Sequence, residues 1–155
     1  MDLSFTDEQI AVRDTIAKLC EKYDDAYWLE RDTDGEFPEA FCRALADAGW
    51  MGIAMPEEYG GSGLGISDAA VMVQAITESG AGNAGFAALA IGIFGLNPVV
   101  VFGTDEQKRK WLPPIIKRED VACFAVTEPN TGLDTTRLKT RAVDKGDHYL
   151  VNGEK

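Results

Sequence analysis

The chain has 155 residues, enough to bury one hydrophobic core, or one domain and part of another. Its 45% apolar and 26% charged residues are typical of a globular protein. The net charge of −11 disfavours a nucleic-acid partner, which needs cations to neutralise its phosphates. Acidic side chains dominate residues 1–60, whereas residues 105–155 are nearly balanced. An anionic ligand is therefore expected nearer the C-terminal third, although ordinary surface variation would give the same split.

Cysteine usage and the N-terminus indicate the compartment. Cys20, Cys42 and Cys123 form no CxxC pair, which favours reduced, buried thiols over a disulfide or zinc framework. The single histidine, His148, has no metal-like neighbours, so no metal site is expected. The N-terminus has neither the basic and apolar regions of a signal peptide nor an arginine-rich transit sequence, so a cytoplasmic location is expected.

The first part of the chain is predicted to be helical. Thr6 and Thr104 each begin the sequence Thr-Asp-Glu-Gln, a capping box in which threonine and glutamine satisfy backbone N–H groups at a helix start. Between them, Trp28 and Leu29 are expected core anchors, and the glycine-rich residues 50–66 are expected to form a functional or packed loop. The predicted helices run from Thr6 to about Lys22, from Pro38 to Gly49, from Ser67 to about Thr77, from about Asn83 to Leu96, and briefly from Asn97-Pro98; another follows Thr104, before Pro113-Pro114.

Residues 79–104 carry no charge and imitate a membrane span. The segment is rich in glycine and interrupted by Asn97-Pro98, and its continuous apolar part is shorter than the ~20 residues that a bilayer needs. We therefore predict a core helix and no membrane span. Gly80 to Gly85 fits the dinucleotide-binding pattern G-x-G-x-x-G, but a helix rather than a strand precedes it, so a tight turn between helices is favoured over a nucleotide-binding fold.

From Val121 the pattern changes from helical to alternating. Val121–Val126 resembles a buried strand, residues 137–142 alternate, and Asp144–Asp147 is typical of a hairpin turn with His148–Asn152 pairing back. Two or three strands are too few for an independent sheet. The predicted fold class is therefore mainly α, with a helical domain over residues 1–119 and the first strands of an incomplete β-domain over residues 120–155.

The segment from Ala122 to Asp134 is the most informative in the chain. An apolar run opens into a loop holding a hydroxyl, a carboxylate, a proline, an asparagine and a glycine. An apolar wall beside exposed backbone N–H groups suits a planar, phosphate-bearing ligand. An ordinary strand exit is the alternative for the segment taken alone.

Four separated segments resemble the acyl-CoA dehydrogenases, in that family's order. They are Leu3–Gln9; Gly49–Ile53 with Pro56–Gly61; Gly103–Lys108 with Trp111-Leu112-Pro113; and Phe124–Pro129 with Gly132 and Asp134, leading to Asn152–Lys155. Each match is weak alone, but four in order and register cover essentially the whole chain. The family combines an N-terminal helical domain, a middle β-domain and a C-terminal four-helix bundle, usually in a homotetramer. The resemblance thus implies the first domain and the opening strands of the second.

The resemblance also implies one wall of an FAD site. The positions expected to contact the cofactor are Phe124, Ala125, Val126, Thr127, Gly132 and Leu133, the last also a substrate contact. The Thr127 hydroxyl and backbone groups would hydrogen-bond the isoalloxazine edge. Leu133 replaces a serine that in many relatives helps to bind the pyrophosphate and CoA, which leaves only its backbone N–H for such a contact. The helix from Ala84 to Leu96 would line the acyl pocket.

The reaction implied is α,β-dehydrogenation of an acyl-CoA thioester, as in fatty-acid β-oxidation, with an electron-transfer flavoprotein as acceptor. In the family a carboxylate removes the α-proton while the flavin takes the β-hydride, which side chains cannot accept. That carboxylate belongs to the C-terminal bundle, so no catalytic base is expected in residues 1–155, and this stretch alone is expected to be inactive. The alternatives are an acyl-CoA oxidase or flavin monooxygenase of the same superfamily, or a cofactor-free helical interaction module.

Overall fold

The structure, a computed structural model, describes residues 4–155, apart from the side chain of Phe94. It is mainly helical with one small two-stranded sheet, as predicted. The elements are α1 (Asp7–Cys20), α2 (Asp25–Asp34), α3 (Glu39–Asp47), α4 (Ile66–Ile76), α5 (Gly82–Phe102), α6 (Asp105–Ile116), β1 (Arg141–Asp144) and β2 (Tyr149–Asn152). Two compact units meet in sequence between Ala122 and Cys123, the first containing the helices and the second the strands.

Both predicted capping boxes are present. The Thr6 hydroxyl accepts from the Gln9 N–H at 3.2 Å, and the Gln9 side chain accepts from the Thr6 N–H at 3.2 Å. Thr104 and Gln107 make the same reciprocal pair at 3.3 and 2.9 Å at the start of α6. Each box satisfies two N–H groups that a helix start leaves without an internal partner, so these boundaries follow from local sequence.

Two helices continue through prolines at which the sequence predicted that the helices would end. α5 is a single helix with Pro98 inside, not two helices, and α6 includes Pro113 and Pro114 in its last turns. A proline removes one backbone N–H and crowds the preceding turn, at a cost near 3 kcal/mol. Tertiary packing offsets that cost, because Leu96, Leu112 and Ile115 around the prolines are buried in one apolar cluster.

The main core joins α1, α3, α4 and α5. Its fully buried side chains are Ile16, Phe41, Cys42, Leu45, Ile53, Met72, Ile76 and Leu89. Of the two expected anchors in α2, Trp28 is 7% exposed and packs edge-on against Phe41 with ring centroids 5.1 Å apart. The expectation for Leu29 was wrong, since it is 66% exposed. Adjacent residues on a helix point about 100° apart, so only one of the two can face the core.

The loop over residues 50–66 is packed, which is one of the two possibilities, functional or packed, that the sequence predicted for it. Met51, Ile53, Met55 and Tyr59 are buried, and two short 3₁₀ turns shape the chain. A Cβ on Gly61 would overlap the Met55 carbonyl oxygen, so only glycine allows this close backbone approach.

The glycines before α5 form the predicted tight turn. Residues Thr77–Ala81 form a kinked turn, in which Gly80 has the non-helical φ of 100°, and Gly82 follows with φ 51°. These left-handed backbone conformations allow the chain to turn directly from α4 into α5. The element before the turn is thus a helix, whereas a dinucleotide-binding loop follows a strand. The G-x-G-x-x-G pattern is therefore a helix connection and not a phosphate loop.

The uncharged segment is less enclosed than the predicted core helix. The stretch Ile66–Phe102 is long and apolar enough, by length and composition, to cross a membrane. Of its most apolar 18-residue stretch, 24% is buried. α5 buries Leu89 and Leu96, whereas Ile91, Val101 and Phe102 are exposed. The prediction of a core helix thus holds for one face of α5 only.

The strand unit contains the predicted hairpin but not the predicted first strand. β1 and β2 pair antiparallel, with Arg141 opposite Asn152 and Asp144 opposite Tyr149. Residues 121–127 form no strand and are mostly exposed, since no described segment pairs with their backbone. The alternating pattern from residue 137 becomes regular only at Arg141, after a 3₁₀ turn at Thr135–Arg137.

Candidate functional site

The six predicted cofactor positions all lie in the strand unit, on the segment before its hairpin. Phe124 is 65% exposed, Leu133 is fully exposed, and Ala125, Thr127 and Gly132 are exposed as well. Val126 is the only one of the six that is half-buried. The segment therefore presents two large apolar side chains and one hydroxyl to whatever covers it.

A tight turn at Glu128–Thr131 separates the two halves of this segment. The Glu128 N–H donates to the Thr131 carbonyl at 2.9 Å, and the Thr131 N–H donates back at 3.0 Å. Within residues 4–155, the backbone N–H groups of Thr127, Gly132 and Leu133 find no hydrogen-bond partner. The N–H groups of residues 124–126 have no partner among the described residues either, so the turn leaves donors available on both flanks, and we call residues 124–133 the ligand loop.

The side chain of Glu128 anchors the ligand loop, a role that sequence reasoning missed. Its carboxylate accepts from the Lys139 N–H at 2.8 Å and from the Thr140 N–H at 2.9 Å. It also pairs with the Lys155 ammonium at 3.1 Å, and the Glu128 side chain is only 6% exposed. Lys155 lies 27 residues away, so no local spacing could have revealed the pair.

The surroundings of Glu128 fix its charge. The Thr140 hydroxyl, the N–H groups of Lys139 and Thr140 and the Lys155 ammonium lower the pKa of Glu128 to about 2. A carboxylate that holds its charge so strongly is a poor proton acceptor near neutral pH. Glu128 is therefore an anchor for the backbone rather than a candidate general base.

The thiols differ from the prediction at one position. Cys20 and Cys42 are buried, as expected, and burial raises the pKa of Cys42 to about 11. Cys123 is exposed, so the expectation of a buried thiol there was wrong. The prediction assumed a buried strand at Val121–Val126, and without strand pairing the residue faces solvent.

Apolar cavities lie beside α5 in the helical unit. One of about 430 Å³ is lined by Met51, Met55, Leu64, Ile93 and Val100, among others. Another of about 230 Å³ lies between α4 and α5 and is lined by Ile66, Ala69, Ala70, Val73, Phe86 and Ile93. The surface along this helix is suited to hydrocarbon, because α5 contributes no charged side chain.

Known proteins with similar sequences and folds are acyl-CoA dehydrogenases and related flavoproteins. The family model "Acyl-CoA dehydrogenase, N-terminal domain" matches residues 6–119. Probable acyl-CoA dehydrogenase YngJ of Bacillus subtilis (strain 168) is 36% identical over 155 residues, which are 100% of this chain and 40% of that protein.

Solved structures give the same result. Butyryl-CoA dehydrogenase from Megasphaera elsdenii superimposes with a TM-score of 0.85 at 29% identity, over 99% of this chain and 41% of its own. A structure of the electron transferring flavoprotein of Acidaminococcus fermentans gives a TM-score of 0.88 at 35% identity, over 99% and 40%. The chain spans about two fifths of the length of these proteins. From the family match over most of its length, the chain belongs to the acyl-CoA dehydrogenase family.

Proposed function

We propose that this chain is part of an FAD-dependent acyl-CoA dehydrogenase that forms the α,β double bond of an acyl-CoA thioester. The observation that carries the proposal is the ligand loop, which presents Phe124, Leu133 and unpartnered N–H groups on both flanks of an anchored turn. Family membership supports the reaction class, and the loop supports the position of the cofactor.

The residues present fit FAD. An isoalloxazine ring needs an apolar face and hydrogen-bond donors along its polar edge, which Phe124 and Val126, with the Thr127 hydroxyl and N–H, would provide. A pyrophosphate needs donors without a competing negative charge, and the N–H groups of Gly132 and Leu133 meet that need. The leucine side chain at 133 adds apolar contact but no hydrogen bond. When bound, FAD supplies the hydride acceptor that side chains lack.

The chain's own residues then bind and orient rather than transfer protons. Glu128 is held as an anion by the Lys139 and Thr140 N–H groups and the Lys155 ammonium, and we assign no residue of this chain as the catalytic base. The base, in this proposal, belongs to the rest of the intact protein.

The proposed substrate is an acyl-CoA whose acyl group contacts α5. The helix bears no charge, and the cavities beside it are lined by apolar side chains apart from Asn97, so they would accept hydrocarbon and reject a charged acyl terminus. An electron-transfer flavoprotein as acceptor and a homo-oligomeric assembly are part of the same proposal, by family.

The decisive experiment is anaerobic titration of the intact protein that carries this sequence. We expect purified protein to show flavin absorbance, and we expect that absorbance to bleach when a saturated acyl-CoA is added. A dye acceptor should restore it. A protein that folds but neither carries nor takes up FAD would overturn the proposal and favour an interaction module.

An acyl-CoA oxidase is the second candidate, because it shares the fold and the cofactor. An oxidase and a dehydrogenase are distinguished by the electron acceptor that reoxidises the reduced flavin. Rapid reoxidation of the reduced protein by O₂, with stoichiometric hydrogen peroxide, would indicate the oxidase, whereas slow reaction with O₂ and fast reaction with the dye would indicate the dehydrogenase.

A further inference from the structure

The Glu128–Lys155 ion pair connects the ligand loop to the segment that follows the hairpin. Glu128 lies in the middle of that loop, and Lys155 follows the second hairpin strand. The same carboxylate binds the N–H groups of Lys139 and Thr140, which precede the first hairpin strand. One side chain therefore ties together three segments that are distant in sequence.

Lys155 makes a second contact that reaches the ligand loop directly. Its ammonium donates to the Val126 carbonyl oxygen at 2.8 Å as well as to Glu128 Oε1 at 3.1 Å. The contact with Glu128 is partly buried, whereas the contact with the Val126 carbonyl is exposed. Both are charge-assisted, and such hydrogen bonds are stronger than those between neutral groups.

The contact with Val126 fixes the direction of a donor. The Val126 carbonyl and the Thr127 N–H belong to one planar trans peptide unit, in which the two groups point in opposite directions. With the carbonyl held by Lys155, the Thr127 N–H must point away from Lys155. That N–H has no partner among the described residues. It is a pre-oriented donor on the face of the ligand loop.

We propose that Lys155, itself fixed by Glu128, is a positioning residue that orients the Val126–Thr127 peptide so that its N–H can bind the polar edge of the flavin. This inference rests on the proposed FAD site. Lys155 acts through the backbone and does not itself contact the cofactor. Because Glu128 remains ionised at neutral and mildly acidic pH, the ion pair between Glu128 and Lys155 persists over that pH range.

Three variants of the intact flavoprotein test the inference. Lys155→Met keeps the length and apolar stem but removes both hydrogen bonds. Lys155→Arg keeps the charge. Lys145→Met is the matched control, because Lys145 is an exposed lysine at the hairpin turn of the same unit. The measurements are the dissociation constant for FAD added to the apoprotein, the visible spectrum of the bound flavin, and the thermal midpoint of the apoprotein.

We expect Lys155→Met to weaken FAD binding about tenfold, the loss of roughly one well-placed hydrogen bond, and to shift the flavin absorption bands. Lys155→Arg should recover most of the affinity, and Lys145→Met should behave as the parent. A parent protein that binds no FAD contradicts the proposed function itself. A parent that binds FAD with Lys155→Met unchanged in affinity and spectrum overturns only the role of Lys155.

A purely structural role gives a different pattern. In that case the apoprotein of Lys155→Met would lose thermal stability while any FAD that it binds keeps the parent spectrum, and this result would overturn the inference. If Lys155→Met fails to fold, Glu128→Gln decides, because glutamine keeps the size of the side chain and one acceptor oxygen but has no negative charge to hold Lys155. An unchanged flavin spectrum and affinity in folded Glu128→Gln would equally count against it.

Discussion

The guanidinium of Arg118 donates to the carboxylate of Glu39, with Nη2 and Oε2 2.7 Å apart, and so joins the turn after α6 to the first turn of α3. Arg118 has φ 57°, the one positive φ at a non-glycine residue among those described. Its guanidinium also lies over the Phe37 ring, 5.1 Å from the centroid. A left-handed conformation costs about 1–2 kcal/mol in a residue with a Cβ. The buried arginine side chain compensates for that backbone strain.

Two substitutions at residue 118 separate the ion pair from the strain. Arg118→Ala removes the contacts and keeps the strain, and we expect a loss of about 2 kcal/mol in the free energy of unfolding, below the full value for a buried pair because Glu39 is half-exposed. Arg118→Gly removes the same contacts but relieves the strain, so it should be about 1 kcal/mol more stable than Arg118→Ala. Urea unfolding of the 155-residue chain measures both. Equal stability of the two variants would show that the positive φ at residue 118 does not destabilise the fold.

Gly61 is predicted to tolerate no side chain. In Gly61→Ala the new Cβ overlaps the Met55 carbonyl oxygen, and backbone cannot move aside as a flexible side chain can. We expect a loss of about 2–3 kcal/mol or more in unfolding free energy. Gly95→Ala is the control, because its Cβ would meet only Ile91 at an ordinary 3.6 Å within a helix, and it should be neutral or slightly stabilising. A Gly61→Ala protein as stable as the control would show that the loop packs differently.

The anchor at Glu128 predicts an acid-sensitive strand unit. The pKa of Glu128 in the folded protein, about 2, lies below its ordinary value of 4.5, so the ionised form favours the folded unit. That contribution is complete above pH 4.5 and is lost as the pH falls through 2. Amide resonances of Lys139 and Thr140, followed by NMR, should therefore titrate with a midpoint near pH 2. A midpoint near 4.5 would mean that the carboxylate is not held.

Glu128→Gln provides the matched comparison for this titration. Glutamine keeps the shape and one acceptor oxygen but has no proton to gain, so the low-pH shift of the two amides should vanish. If the same shift persists in the variant, another carboxyl group causes it.

Local signals predicted much of the fold, and contacts between distant residues account for what was missed. The capping boxes at Thr6 and Thr104 act within four residues, so the sequence alone locates those helix starts. By contrast, Leu96 and Leu112 carry α5 and α6 through their prolines by packing that no single segment reveals. In the candidate site the loop was predictable from its composition, whereas its anchor depends on a lysine 27 residues away. A strand at Val121–Val126 requires a partner, and an apolar pattern cannot show whether one exists.

The three thiols are predicted to differ sharply in reactivity, because a thiol must be both accessible and ionised to react. Cys123 is exposed, whereas Cys20 and Cys42 are buried, and burial raises the pKa of both buried thiols, that of Cys42 to about 11. Ellman's reagent should therefore titrate one thiol rapidly in the native 155-residue chain and all three in denaturant. In Cys123→Ser the rapid phase should disappear and the denatured count should fall by one. Two or more rapid thiols in the native chain would show that the core around α1 and α3 opens far more readily than its packing implies.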